Sequence, residues 1–241
     1  MDTKEQPTAC VIIIGNEILS GRTQDVNLNF LASNLAGMGI ELVEARVIAD
    51  VESAIISTVN TCRSTYDYVF TTGGIGPTHD DITAECIAKA FGVELEQNQK
   101  ARELIADLCE RNGVELNAAR LRMANAPVGA SLIRNSVSGA PGFRMDNVFV
   151  LAGVPRIMRD MFDGCKKDLM GGPLVLSRTV VASLPEGVIA EPLRALQERF
   201  PSVEMGSYPF YQDGRFGTNL VLRSADEILL RQVCSDVFGM V

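Results

Sequence analysis

The chain has 241 residues, 46% of them hydrophobic and 22% charged, the balance of an ordinary globular protein with room for a sizeable core. A net charge of −8, with Lys166-Lys167 as the only adjacent basic pair, excludes a protein that grips nucleic acid through a clustered basic surface. The acidic, polar residues 1–8 lead into an apolar run too short for a signal peptide or membrane span, and six cysteines without a CxxC pair read as reduced residues of a cytoplasmic protein.

Residues 9–14, Ala9-Cys10-Val11-Ile12-Ile13-Ile14, form the uninterrupted apolar run of a central strand covered on both faces, and the run stops at Gly15-Asn16-Glu17. Residues 18–24, with Ser20 and Gly21, read as a loop. Asp25 is placed to cap a helix carrying Leu28, Leu31, Leu35 and Met38 on one face, closed by Gly37 and Gly39. Residues 41–49 alternate as a second strand with one less buried face, and Asp50 is placed to cap a helix over 51–63.

A third strand ends at residues 67–70 and meets Thr71-Thr72-Gly73-Gly74-Ile75-Gly76-Pro77-Thr78-His79-Asp80-Asp81, followed by a helix over 82–91. Three glycines in four positions leave backbone N–H groups uncovered at a helix start, which suits a phosphate or another anion. Asp80 and Asp81 stand where caps belong, and capping alone accounts for one of them; two carboxylates beside an anion cradle also fit a bridging cation or a proton-transfer role. Glu17, Asp50 and Asp81 all follow strand ends, so parallel strands place them on one rim, where ligands of open α/β sheets gather. His79 is the only histidine, with no HxxxH spacing to support a histidine metal site, so a cation here needs oxygen ligands. No GxSxG elbow supports a serine hydrolase.

Helical pattern resumes between 94 and 123, broken at Asn112-Gly113 and ended by Ala126-Pro127. Residues 131–134 form a short strand, 138–143 a Gly/Pro loop, and 147–151 another strand ending at Ala152-Gly153-Val154-Pro155, with Pro155 in the first turn of a further helix. Gly171-Gly172-Pro173 marks the domain boundary, giving 1–172 and 173–241. The second part reads as strand 174–182, helix 187–200, strands 203–207 and 216–222, and helix 225–238, a small βαββα domain. Tyr208, Phe210 and Tyr211 are expected in its core, the alternative being that they pack over a neighbouring site, and the Gln212-Asp213-Gly214 turn is its other unusual feature. Alternating strands and helices define the first part as an α/β layered domain with a largely parallel sheet.

Gly15-Asn16-Glu17-Ile18-Leu19-Ser20-Gly21, Gln24-Asp25-Val26-Asn27, Thr72 to the Asp80-Asp81-Ile82-Thr83 stretch, Ala140-Pro141-Gly142-Phe143 and Gly153-Val154-Pro155 together resemble the molybdopterin-binding domain family of MoaB, Mog and gephyrin. Within it the chain is most similar to the N-terminal part of the competence/damage-inducible protein A (CinA) group and to the matching domain of eukaryotic FAD synthase, which Gly206-Ser207-Tyr208-Pro209 also resembles. The resemblance implies a three-layer α/β/α sandwich with a small C-terminal α+β domain, binding a phosphate-bearing pterin or adenine nucleotide. It implies Asp81 and Asp50 as catalytic; Asp80, beside Asp81 at the anion cradle, joins them as a catalytic candidate, and Asp80 and Asp81 are the candidate metal ligands. The ligand would lie against Gly15, Asn16, Glu17, Ser20, Gly73, Gly74, Gly76, Thr78, Gly142, Gly153 and Pro155. The activity implied is cleavage of ADP-ribose or FAD to AMP with a divalent metal, Co²⁺ or Mg²⁺, and K⁺; the alternative is a molybdenum-cofactor binding protein without chemistry. Such proteins are commonly oligomers, and a homodimer acting on a small molecule, with no nucleic-acid or membrane partner, is expected. Asp80 replaces an arginine of Mog-type members, Asn16 a threonine or aspartate, and Ala152 with Val154 loosens a Pro-Gly-Pro-Pro run. Neither FAD synthesis nor deamidation is expected from the residues present.

Overall fold

Six of the seven residues in the first strand are fully buried, as a β-branched run without polar interruption requires. The computed structural model describes residues 6–212 and 214–241, so the turn expected at Gln212-Asp213-Gly214 lies in part outside the described residues. The chain divides into two units at Gly172 and Pro173. The first runs β1 (Thr8–Ile14), α1 (Asn16–Leu19), α2 (Asn27–Gly37), β2 (Glu41–Ile48), α3 (Glu52–Thr65), β3 (Tyr68–Thr72) and α4 (Thr83–Phe91). It continues through β4 (Leu95–Gln97), α5 (Gln99–Arg111), α6 (Ala118–Arg122), β5 (Asn125–Pro127), β6 (Ser131–Ile133), β7 (Gly142–Met145), β8 (Val148–Leu151) and α7 (Pro155–Cys165).

The main sheet has the order β2-β1-β3-β8-β7-β6, with β2, β1, β3 and β8 parallel and β7 antiparallel to both neighbours. Because side chains alternate along a strand, β1 feeds two cores. Ala9, Val11 and Ile13 pack with Phe70 and Phe149 against Leu31 and Leu35 of α2 and Met158, Met161 and Phe162 of α7. Cys10, Ile12 and Ile14 pack on the other face against Ile55, Val59 and Cys62 of α3 and Cys86 and Ile87 of α4. The result is the three-layer sandwich. Each fully buried leucine, isoleucine or phenylalanine contributes about 1.5–3 kcal/mol. All six cysteines are free, five of them buried. Among the described residues, no helix is long and apolar enough to cross a membrane.

Several elements differ from the sequence expectation. The loop expected at 18–24 begins with the single helical turn of α1. Asp25 accepts the Leu28 N–H (2.8 Å), but one residue outside the N-cap position, which Val26 occupies. Asp50 caps nothing in α3, whose N-cap is Val51. Residues 142–145, half expected as loop, form β7, because their backbone pairs with both β6 and β8. Ala126 and Pro127 do not merely end a helix: they pair with β4 in a two-stranded ribbon, where proline is tolerated at an edge.

The second unit contains β9 (Leu176–Ala182), α8 (Glu186–Arg199), β10 (Glu204–Gln212), β11 (Arg215–Ser224) and α9 (Glu227–Phe238). Its antiparallel sheet, β10-β11-β9, packs Val180, Leu220 and Leu222 against Ile189, Leu193 and Leu196 of α8 and Leu230, Val233 and Val237 of α9. The core placement expected for Tyr208 and Tyr211 is wrong: they are 57% and 65% exposed. For Tyr211 the reason is register: β9 pairs with β11 only as far as Thr218, so the β10–β11 strands run on without a third neighbour, and there Tyr211 lies over Phe216 with ring centroids 4.4 Å apart. Tyr208 lies opposite Asn219, which pairs with the exposed Val181, so it stands on the sheet face turned away from the core.

Candidate functional site

At the carboxyl end of β3 the chain turns through Gly73 (φ 103°) and Gly74 (φ 66°), conformations that side chains resist. Space forbids side chains too. A Cβ on Gly73 would strike the Ile14 carbonyl oxygen, and one on Gly74 the Thr83 hydroxyl. That hydroxyl donates to Gly73 O (3.1 Å) while Thr83 N–H donates to Gly74 O (3.0 Å), so the first residue of α4 pins the turn. Gly73 N–H is engaged by Leu151 O (3.2 Å) and is unavailable to an anion. The N–H groups of Gly74, Ile75 and Gly76 find no acceptor among the described residues, and these form the cradle.

Asp80 and Asp81 do not cap α4, whose N-cap is Ile82 and carries no side-chain bond. The Asp81 carboxylate turns back over Gly76, where a Cβ would lie 2.6 Å from Oδ2. It accepts Thr78 N–H at 2.8 Å and lies 2.6 Å from Thr78 Oγ1. Asp80 Oδ1 is also 2.6 Å from that oxygen. A hydroxyl has one proton. It can serve one carboxylate, so three oxygens are gathered with one proton too few for their contacts. The Thr78 hydroxyl bond holds the Asp80 carboxyl below its ordinary range, which favours the ionised form there. Hard oxygen donors short of a proton suit a divalent cation such as Mg²⁺.

The neighbouring strand ends supply the rest of the rim. Asp50 Oδ2 accepts Asn16 N–H (2.8 Å), tying the end of β2 to the loop after β1. Glu17 folds over Gly15, where a Cβ would meet its Oε1 at 2.6 Å. Asn27, 4% exposed at the start of α2, donates through Nδ2 to Gly153 O (2.8 Å). Gly153 in turn packs on Gly73, where an added Cβ would come within 3.3 Å of the Gly73 Cα. Pro155 opens α7 as expected.

These turns enclose a cleft with two lobes. One, about 490 Å³, is lined by Glu17, Thr23, Gly73 to Gly76, Asp81, Gly153 and Pro155, with a predominantly apolar wall that includes Met123, Ile157 and Met161. The other, about 330 Å³, lies toward α6 and β5 and is lined by Glu85, Arg122, Asn125 and Phe143. Gly74, Ile75, Gly76, Asp81 and Met123 belong to both, so Asp81 stands where the lobes meet.

Of the candidate residues, Glu17, Gly73, Gly74, Gly76, Asp81, Gly153 and Pro155 line the cleft. Asp50 and Asn16 brace its rim from behind. Thr78 and Asp80 are exposed; Thr78 contacts Asp81, and Asp80 contacts Thr78. Ser20 is exposed and donates to Glu17 O (3.3 Å), closing α1. Gly142 is a packing glycine inside β7: a Cβ would strike Val150 O. His79 is exposed and lines neither lobe. Thr23, Arg122, Met123, Ile157 and Met161 escaped sequence reasoning, since a methionine or arginine on an amphipathic helix gives no sign of what it faces.

The fold and rim define a CinA-like molybdopterin-binding fold. The chain belongs to the family described as probable molybdopterin binding domain, which matches residues 10–171, and residues 174–241 match the FAD synthase middle domain. A protein of Pyrobaculum calidifontis is 35% identical over 212 residues, covering 84% of this chain and 81% of that protein. A probable FAD synthase of Caenorhabditis briggsae is 30% identical over 93% of this chain, a region that makes up 47% of that protein. The crystal structure of the protein CinA, of unknown function, from Thermoplasma acidophilum matches with a TM-score of 0.61 and 33% identity, covering 68% of this chain and 98% of that one.

Proposed function

We propose that this chain is a metal-assisted nucleotide pyrophosphatase that splits a phosphoanhydride such as that of ADP-ribose or FAD and releases AMP. The observation that carries this reading is the Asp80–Thr78–Asp81 oxygen cluster beside the free N–H groups of Gly74 to Gly76. The apolar lobe has no lysine or arginine in its wall, so phosphate charge there is offset by N–H dipoles and a cation. Asp80, Asp81 and Thr78 Oγ1 would hold a divalent ion, Mg²⁺ or Co²⁺, with K⁺ as a second cation. When bound, the divalent ion supplies charge neutralisation and a more acidic water. The N–H groups orient the phosphates, Asp81 aligns the attacking water and takes its proton, and the apolar wall receives the heterocycle and excludes bulk water. Asp50 acts at one remove by holding Asn16.

The test is AMP release from ADP-ribose and FAD with Mg²⁺ or Co²⁺ plus K⁺, for wild type and Asp81→Asn. Turnover by the wild type and a loss of roughly 10²–10⁴-fold in the variant is the expected result. No AMP from the wild type would reject the reading in favour of the second one, a molybdopterin-binding protein without chemistry, which the family match supports. Molybdopterin binding would then be measured directly.

A further inference from the structure

We infer that the second lobe receives the outer phosphoryl group of a ligand carrying at least two, and that Arg122 is the residue that selects for it. The inference rests on the nucleotide reading of the same cleft. A phosphate held by the N–H groups of Gly74 to Gly76 faces both lobes, because those residues line each of them. One lobe is apolar and suits a ring. The other mixes apolar residues such as Leu95 and Phe143 with Asp81, Glu85, Asn125 and Arg122, and among the described residues Arg122 is the only cationic side chain in the wall of either lobe.

Arg122 ends α6, is exposed, and forms no ion pair or side-chain hydrogen bond among the described residues. Its neighbour Arg120 is different: its guanidinium donates to Glu115 O (2.5 Å). Glu85, the other charged residue peculiar to this lobe, is already paired with Lys89 at 2.9 Å. Arg122 therefore has its fork of donors unspent beside the cradle. A guanidinium matches two phosphate oxygens at once, which ammonium groups and amides do not. A monophosphate fills the cradle and leaves Arg122 out of reach of its task. A diphosphate extends into the second lobe and meets it.

The experiment measures AMP and ADP binding by titration calorimetry with Mg²⁺, for wild type, Arg122→Gln, Arg122→Lys and Arg120→Gln. Loss of a charge-assisted bidentate contact predicts a roughly tenfold to hundredfold weaker ADP affinity in Arg122→Gln. AMP affinity should stay within about twofold, Arg122→Lys should fall between, and Arg120→Gln should match the wild type because it carries the same charge loss off the lobe. Equal ADP binding by wild type and Arg122→Gln, with AMP bound by both, would overturn the role of Arg122 and leave the nucleotide reading standing. An equal loss for AMP and ADP would also overturn it, as a non-selective charge effect. Binding of neither nucleotide by the wild type would reject the parent reading and this inference together.

Discussion

Two groups of carboxylates on the same sheet are treated in opposite ways. Glu44, on the edge strand β2, accepts from Arg46 at 2.8 and 3.1 Å and from the Tyr66 hydroxyl at 2.7 Å, so three protein donors meet one acid. At the carboxyl rim, Asp80 and Asp81 share one hydroxyl proton, with one N–H added for Asp81. Acids that serve the fold are matched with donors from within the chain. Asp80 and Asp81 are left short, and under the proposed function a cation would relieve that shortage.

The largest test of this contrast is Asp81→Asn, expected to remove AMP release by roughly 10²–10⁴-fold while the melting temperature barely moves. Glu44→Gln should do the reverse, keeping turnover and lowering the melting temperature. A variant pair that moved both quantities together would erase the distinction. Next in size is Gly73→Ala. The positive φ and the collision with the Ile14 carbonyl require the backbone to shift, at a cost on the order of 1–3 kcal/mol in chemical denaturation. Wild-type stability in that variant would refute the tight packing of the two strand ends. Asn27→Ala is smaller. It removes the hydrogen bond from the buried Asn27 amide to Gly153 O, and should cost about 0.5–1.5 kcal/mol and loosen ligand binding, read by denaturation and calorimetry.

The smallest effects lie in pH. Arg46 and then Tyr66 hold the Glu44 carboxyl below its ordinary value, so its contribution is fully present above the unfolded carboxylate range and is lost as pH falls through the lowered folded value. The same contact pushes the Tyr66 hydroxyl up to about 12, a contribution present below the unfolded value near 10 and lost as pH rises toward 12. Melting temperatures of wild type and Tyr66→Phe should therefore converge in strong alkali. Parallel curves from pH 8 to 12 would show that the hydrogen bond does not form.

Much of the first unit was legible because its signals are local. The apolar run of β1, the Gly73–Gly76 turn and Pro155 before α7 each state their conformation through sterics that act over a few residues. Asp81 and Glu17 were legible as rim residues because parallel strands put successive loops on one edge. Asp50 was misjudged as a cap, and the packing role of Gly142 was not legible, because their partners Asn16 and Val150 come from other elements of the fold. Exposure of Tyr211 depended on where β9 stops, and that of Tyr208 on which sheet face its register gives it, neither of which their own aromatic character reports.

By itself the amino-acid sequence determined the layered α/β architecture, the glycine turn at its carboxyl rim and the acids that follow it, since hydrophobic period and glycine conformation are written residue by residue. Only the tertiary structure decided which acids line the cleft, which brace it, and that Arg122 stands at its second lobe without a partner among the described residues. Those outcomes depend on contacts between elements tens of residues apart, where position in space rather than residue type sets the role.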